Sequence, residues 1–363
     1  MTTLFDPVTL GDIALSNRIV MAPLTRGRAG ESRTPNDLMV EYYTQRASAG
    51  LIITEATAIS EQGYGWPGAP AMYTDAHEAA WKKVTESVHA AGGKIVLQMW
   101  HMGRVVDESL VPEGQQSVAP SAIAAVNNIR RANGKVYPAP RALEASELPG
   151  IVNDYVEGAK RAIRAGFDGV EVHGANGYLL DQFIRDGSNK RTDAYGGPVE
   201  NRIRFPLEVI SAVAKAIGPG KVGVRISPTN KFNDMSDSDP LATFTAFAAA
   251  LNGLGLAYLH VMEPENKAHF MGNADEPYVT PHIHKAFTGP LMVNGGYGLE
   301  DGEQSLETHK ADTVAYGVPF ISNPDLVERF RAGAPLSPPD QSTFYTPGAK
   351  GYTDYPAMTE RAA

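Results

Sequence analysis

The sequence predicts an α/β fold, a closed (β/α)8 TIM barrel, and three observations point to it. Eight short apolar β-runs alternate with helical stretches along the 363 residues. That repeat builds a parallel sheet with helical crossovers. No Gly-x-Gly-x-x-Gly turn follows the first run, which weakens the doubly wound sheet, the runner-up. The length also suits one barrel domain spanning 1–363.

Taken in order, residues 3–16 read as a short N-terminal hairpin lid from Leu4-Phe5 and Val8-Thr9-Leu10, with Gly11-Asp12 at the turn. The first barrel strand is Arg18-Ile-Val-Met-Ala22, ending at Pro23-Leu24-Thr25. A helix over 37–49 stops at Gly50, and Leu51-Ile-Ile-Thr-Glu-Ala56 is the second strand. A helix over 75–91, opened by Thr74 or Asp75, leads to the third strand, Lys94-Ile-Val-Leu-Gln98. Residues 102–145 are rich in Gly, Pro, Ala, Asn and Arg without a sustained period. They read as a long excursion after strand 3 over the active-site face, since long loops inside compact domains are usually functional. Ser146 and Glu147 open the next helix, which presents Val152, Tyr155, Val156, Ala159 and Ile163 on one face, and 169–172 is the fourth strand. The pattern then repeats: helix 201–217, strand 221–227, helix 240–254, strand 258–262, helix 280–287, strand 291–294, helix 299–309, strand 313–316. Asn323 is expected to cap a last helix, with Pro324 at its first position. A second cover over the mouth is expected from 267–278.

Composition narrows the function. The net charge is −9 and no basic run stands out, which argues against nucleic acid or an anionic membrane as partner. No segment approaches ~18 uninterrupted apolar residues. The N-terminus shows no basic-then-apolar signal pattern. The expectation is a cytoplasmic protein. There is no cysteine, which excludes disulfides, thiolate nucleophiles and Cys-bound iron–sulfur clusters. Any redox chemistry must come from a bound group.

In a barrel the strand ends converge on one mouth. Here they supply Pro23, Leu24, Thr25, Ala56, Gln98, Trp100, Arg225, Glu263, Asn294, Gly295, Gly296 and Gly317. Hard divalent cations want several carboxylates, and this set has few. His101, His173 and His260 leave a metal-dependent barrel hydrolase or lyase as an alternative, although no His-x-His pair follows the first strand. The set better suits a flat anionic heteroaromatic cofactor. Thr25 and Gln98 offer a hydroxyl and an amide to ring N–H and C=O groups, and Arg225 offers fixed charge beside a ring that becomes negative on reduction. The glycines let backbone N–H groups approach a phosphate.

The fourth strand runs into Val170-Glu-Val-His-Gly-Ala-Asn-Gly-Tyr178. His173 and Asn176 can donate to one oxygen, and Tyr178 can hand over a proton. Two donors beside an acid suit a C=C bond conjugated to C=O or NO₂. Read alone, His173 is equally a satisfied core histidine and Tyr178 a half-buried aromatic.

Several motifs together resemble the old yellow enzyme family of FMN-dependent ene-reductases, of the xenobiotic, pentaerythritol tetranitrate and morphinone reductase type, over nearly the whole chain. They are Asn17-Arg-Ile-Val-Met-Ala-Pro-Leu-Thr-Arg26, Gln98-Met-Trp-His-Met-Gly-Arg104, His173-Gly-Ala-Asn-Gly-Tyr-Leu-Leu-Asp-Gln-Phe183, Arg191-Thr-Asp-Ala-Tyr-Gly-Gly197, Val224-Arg-Ile-Ser-Pro228 and Phe320-Ile-Ser-Asn-Pro-Asp-Leu326.

The resemblance implies tightly bound, non-covalent FMN, with NADPH or NADH as reductant and small electrophilic alkenes or nitro compounds as substrates. It implies that Thr25 bonds the flavin C4 oxygen and that Pro23, Leu24, Ala56 and Gln98 line the isoalloxazine. Arg225 would sit at its N1/C2 oxygen side, with Asn294 nearby, and Gly295, Gly296, Gly317 and the Val318 backbone at the phosphate. It implies that His173 and Asn176 bind the substrate oxygen, that Tyr178 protonates carbon, and that Trp100 and Tyr345 shape the pocket. Thr25 stands where one branch has a redox-tuning Cys. Relatives that carry an iron–sulfur cluster need the cysteines this chain lacks. One departure stands out: Gly317-Val318 replaces the usual Gly-Arg. Losing that charge-assisted contact costs ~1.5–3 kcal/mol unless another cation substitutes. A monomer or a homodimer is expected, and a catalytically silent flavin protein is the second alternative.

Overall fold

The computed structural model describes residues 2–112, 115–126, 136–265, 269, 272–273 and 275–358. Parts of both expected covers, 113–114 and 127–135 of the excursion and 267–268, 270–271 and 274 of the second segment, lie outside the described residues.

Strands β1 (Val8–Leu10) and β2 (Ile13–Leu15) pair antiparallel around Gly11-Asp12. The hairpin therefore starts later than the sequence suggested: Leu4 is fully buried in the core but forms no strand. Asp12 N–H donates to the Gly220 carbonyl, just before a barrel strand begins, so the lid closes the floor of the barrel. Leu10, Ile13 and Leu15 pack there against Val20, Leu51, Val96 and Met292.

The barrel strands are β3 (Ile19–Met21), β4 (Leu51–Ile53), β6 (Ile95–Trp100), β9 (Gly169–His173), β10 (Val222–Ile226), β11 (Tyr258–Met262), β12 (Leu291–Asn294) and β13 (Thr313–Tyr316). Each pairs in parallel with the next, and β13 returns to β3, which closes the cylinder. A two-residue strand, β5 (Thr57–Ala58), extends the β6 edge. Within the excursion, β7 (Val118–Ala119) and β8 (Arg141–Ala142) form a short parallel pair. Two arginines tie this segment down through backbone carbonyls: Arg104 donates to Ile123, Asn233 and Asp234, and Arg191 to Pro120 and Leu143.

The helices are α1 (Asp37–Thr44), α2 (Asp75–Ala90), α3 (Leu148–Arg164), α4 (Leu179–Ile184), α5 (Val199–Arg202), α6 (Arg204–Ile217), α7 (Pro240–Leu251), α8 (Thr280–Ala286), α9 (Leu299–Thr308), α10 (Val318–Ser322) and α11 (Leu326–Ala332). Thr74 caps α2 by accepting from His77 N–H at 3.2 Å. Four local expectations change, the first being that the helix expected over 37–49 ends at Thr44. The buried face of α3 centres on Ile151, Tyr155, Gly158 and Ala162, so Val152, Val156 and Ile163 flank it half-exposed. The single helix expected over 201–217 is broken at Ile203 into α5 and α6. Asn323 caps nothing: its amide bridges the Pro319 carbonyl and both backbone groups of Ser337, while Asp325 precedes α11 and pairs with Arg329. A buried side chain found long-range partners better than a helix end. Among the described residues no helix is long and apolar enough to cross a membrane.

Candidate active site

The loop after β9 is held open by its own sequence. Asn176 and Gly177 both have positive φ, 59° and 76°. Asn tolerates this region at modest cost. Gly177 has no alternative, because a Cβ there would lie 2.7 Å from both Asn233 and Met235 side chains. The turn is fastened by α4: Asp181 accepts from Gly177 N–H at 2.8 Å and is itself buried against Arg185 at 2.9 Å. Gln182 donates to the carbonyls of Gly177 and Met102, linking this loop to the one after β6.

That framework fixes two donors. Ala175 N–H donates to His173 Nδ1 at 3.3 Å, which places the ring proton on Nε2. Burial, and then the Arg225 charge, hold the His173 pKa well below that of an ordinary imidazole, so the ring is neutral. Asn176 Oδ1 accepts from Asn230 Nδ2 at 2.9 Å, which turns the Asn176 amide nitrogen the other way. Tyr178 packs edge-on against Trp100 at 4.9 Å and against His173 at 5.1 Å. All four line one cavity, together with Thr25, Gln98, Arg225 and the exposed Tyr345. Pro23, Leu24, Ala56 and Val318 complete its walls, and Phe232 and Phe344 join them.

Gln98 is fully buried. Its Nε2 donates to the Glu171 carboxylate at 2.7 Å. A carboxylate only accepts, so the Gln98 carbonyl oxygen is left to face a ring N–H. Arg225 is held by Asn294 Oδ1 at 3.0 Å, and Asn294 in turn donates to the Ala315 carbonyl. Asn294 thus positions Arg225. The Arg225 Nε is buried without a hydrogen-bond partner among the described residues.

Pro23, Leu24, Arg225 and Val318 are shared with a second cavity, so the two form one cleft. The second end is lined by Asn294, Gly295, Gly296, Gly317 and Val318. Gly296 has φ 84°, and a Cβ on it would come within 2.9 Å of the His269 ring. Val318 is 42% exposed and supplies no charge. The basic side chains among the described lining residues are Arg225 and His269. An acceptor amide, a buried guanidinium and a glycine cradle fit a flavin ring with a phosphate tail.

Glu263 stands apart from the cleft walls. Its buried carboxylate is consumed by Val279 N–H, Thr280 N–H and hydroxyl, and the Thr229 hydroxyl. The three histidines weighed for a metal have separate surroundings. His101 accepts from Gly103 N–H, and burial pushes its pKa down to about 3. His260 is bound to Glu171, and His173 faces the cleft. Among the described residues no group of three His, Cys, Asp or Glu is placed to hold a metal ion.

Sequence reasoning missed Glu171, Asn230, His269, Phe232 and Phe344. Glu171 left a signal, a charge inside an otherwise apolar strand. The others sit on loops whose return to the mouth no local pattern announces.

The class this fold and cleft define is a (β/α)8 flavin oxidoreductase. The family model described as NADH:flavin oxidoreductase / NADH oxidase matches residues 3–337. A probable flavin mononucleotide-dependent alkene reductase of Leishmania infantum is 45% identical over 362 residues, 98% of this chain and 97% of that protein. The old yellow enzyme homologue of Zymomonas mobilis superposes with a TM-score of 0.94 at 46% identity, covering 98% and 99% of the two chains. Morphinone reductase in complex with tetrahydroNAD gives 0.91 at 48% identity, covering 99% and 98%. The chain belongs to this family, the old yellow enzymes, and is an FMN-containing, NAD(P)H-dependent oxidoreductase.

Proposed function

We propose that residues 1–363 act as one FMN-binding barrel domain that reduces activated C=C bonds, in enones and nitroalkenes, by alternating use of one site. When bound, FMN supplies the chemistry of accepting a hydride from NAD(P)H and returning it through N5 to the β-carbon of the alkene. His173 Nε2–H and the Asn176 amide hold the substrate's carbonyl or nitro oxygen and favour the charge that develops on it. Tyr178 gives its phenolic proton to the α-carbon. Thr25, Gln98 and Arg225 hold the ring's polar edge, with Pro23, Leu24 and Ala56 against it. Gly295, Gly296, Gly317 and the Val318 backbone receive the phosphate. Trp100 and Tyr345 shape the substrate end. Nicotinamide and alkene share one space, which implies ping-pong kinetics.

One observation supports this reading above others: the outer sides of His173 and Asn176 are both occupied, by Ala175 N–H and by Asn230, so both donors are turned inward beside Tyr178. Alkene reduction is also in the name of the Leishmania infantum relative. Nitrate esters and nitroaromatics are further acceptors that the family resemblance alone suggests, and a cytoplasmic location suits a user of NAD(P)H. The test is anaerobic stopped-flow of both half-reactions. Yellow protein should bleach with NAD(P)H and recover its colour with an enone. Bleaching without recovery across a panel of enones and nitroalkenes would leave a silent flavin protein instead.

A further inference from the structure

Beneath the polar edge of the cleft, the barrel interior holds a charge that the proposed reaction does not use. Glu171 is 0% exposed. Its carboxylate accepts from Gln98 Nε2 at 2.7 Å and from His260 Nδ1 at 2.9 Å. The strand register stacks these groups on two successive inward rows: Glu171 lies opposite Gln98 on β6 and Gly223 on β10, and two residues further along Arg225 lies between His173 and His260. Gly223 makes room for a neighbouring ring. The Tyr258 ring fills the space where a side chain would stand, since a Cβ on Gly223 would lie 2.2 Å from it, and the ring so comes beside Glu171.

An inward position at this depth of a barrel is ordinarily an aliphatic residue. Burying an ion there costs several kcal/mol, and a packed hydrophobe of similar volume is often no less stable. Stability alone therefore does not account for it. Its consequences for the cleft are specific. The carboxylate determines which end of the Gln98 amide faces inward. It is also the leading negative charge acting on Arg225. Burial pulls the Glu171 pKa up, but His260, Arg225 and Gln98 outweigh it and keep the group ionised. Burial keeps His260 neutral despite the neighbouring carboxylate. The pair thus carries one negative charge, opposite the one positive charge of Arg225.

We infer that Glu171, held by His260, is a positioning residue that locks Gln98 and offsets Arg225, so that it lowers the reduction potential of the bound flavin. The inference rests on the proposed placement of the ring against Gln98 and Arg225. Without Glu171, the electron-rich reduced ring would face Arg225 uncompensated, and reduction would be favoured.

The experiment is the midpoint potential of bound FMN, measured anaerobically against a reference dye, in the wild-type holoenzyme and in Glu171→Gln. The variant potential should move to a more positive value. Flavin reduction by NAD(P)H should speed up, and reoxidation by an enone should slow down. Glu171→Asp, which restores the charge, should move the potential back toward wild type. A wild-type potential in the Gln variant, or both half-reactions slowed together, overturns the inference. If Glu171→Gln does not fold, His260→Phe carries the test by removing a donor to the carboxylate, and its potential should rise in the same direction. If neither variant folds, the pair is a structural staple and the inference is wrong. A wild-type protein that binds no FMN would sink the proposed cofactor placement instead, which keeps the two failures distinct.

Discussion

At the Tyr178 end of the cleft four polar side chains are each held by another group, whereas at the Gly295-Gly296 end the walls are mostly backbone and apolar carbon. Asn230 turns Asn176, Ala175 N–H orients His173, Glu171 turns Gln98 and Asn294 holds Arg225. At the other end Gly295, Gly296, Gly317 and Val318 offer no side-chain donor, and His269 stands over Gly296. One end recognises direction, with donors and acceptors fixed before anything binds. On the proposed placement of the phosphate, the other would recognise shape and leave most of a dianion's charge to backbone dipoles. The first should tolerate few substitutions, and the second has room for improvement.

The largest expected effect tests the ordered end. Tyr178→Phe should slow alkene reduction by ~10²–10⁴-fold, the usual worth of a positioned acid. Reduction of the flavin by NAD(P)H should stay near the wild-type rate, and equal slowing of both half-reactions in stopped-flow would remove Tyr178 from the proton-donor role.

Val318→Arg tests the plain end from the opposite direction. A charge-assisted phosphate contact is worth ~1.5–3 kcal/mol. FMN should therefore bind the apoprotein about tenfold tighter or more, read from quenching of flavin fluorescence, while riboflavin affinity stays the same. No gain in FMN affinity would mean that the phosphate does not reach residue 318.

Asn230→Ala leaves every proposed contact residue in place but frees the Asn176 amide to turn. One lost hydrogen bond is worth about 1 kcal/mol. Enone binding should weaken roughly fivefold with flavin reduction unchanged. His269→Ala should weaken FMN by a comparable ~3–10-fold and riboflavin not at all. If both flavins weaken equally, His269 shapes the cleft and does not meet the phosphate.

The smallest effect concerns pH. His173 is neutral because burial and Arg225 depress its pKa. Its protonation on acidification therefore begins well below the ordinary imidazole range near 6.5. Enone affinity should stay flat as pH falls through that range. A titration there that disappears in His173→Asn would contradict the neutral assignment.

Much of this was legible along the chain. The eight strands fall where the apolar runs placed them, because each run is bounded by glycine, proline or a polar strand end. Of the strand-end residues assigned to the mouth, all but Glu263 line the cleft, because strand ends in a barrel converge on one face. The errors were at ends and faces: the hairpin start, the exposed edge of α3, the break at Ile203 and the role of Asn323. At Asn323 the contacts to Pro319 and Ser337 outweighed the local preference for a helix cap.

The sequence by itself determined the barrel and the strand-end residue types, since these depend on period and adjacency, and its resemblance to the family singled out Val318 where a cation usually stands. Only the tertiary structure decided that Glu171 accepts from Gln98 and lies on the strand next to that of Arg225, that Asn230 turns Asn176, and that His269 stands over Gly296. The physical reason is that a hydrogen bond's direction is set by the group on its far side. In this protein that group comes from 54 to 89 residues away for Asn176, Gln98 and the Glu171–His260 pair.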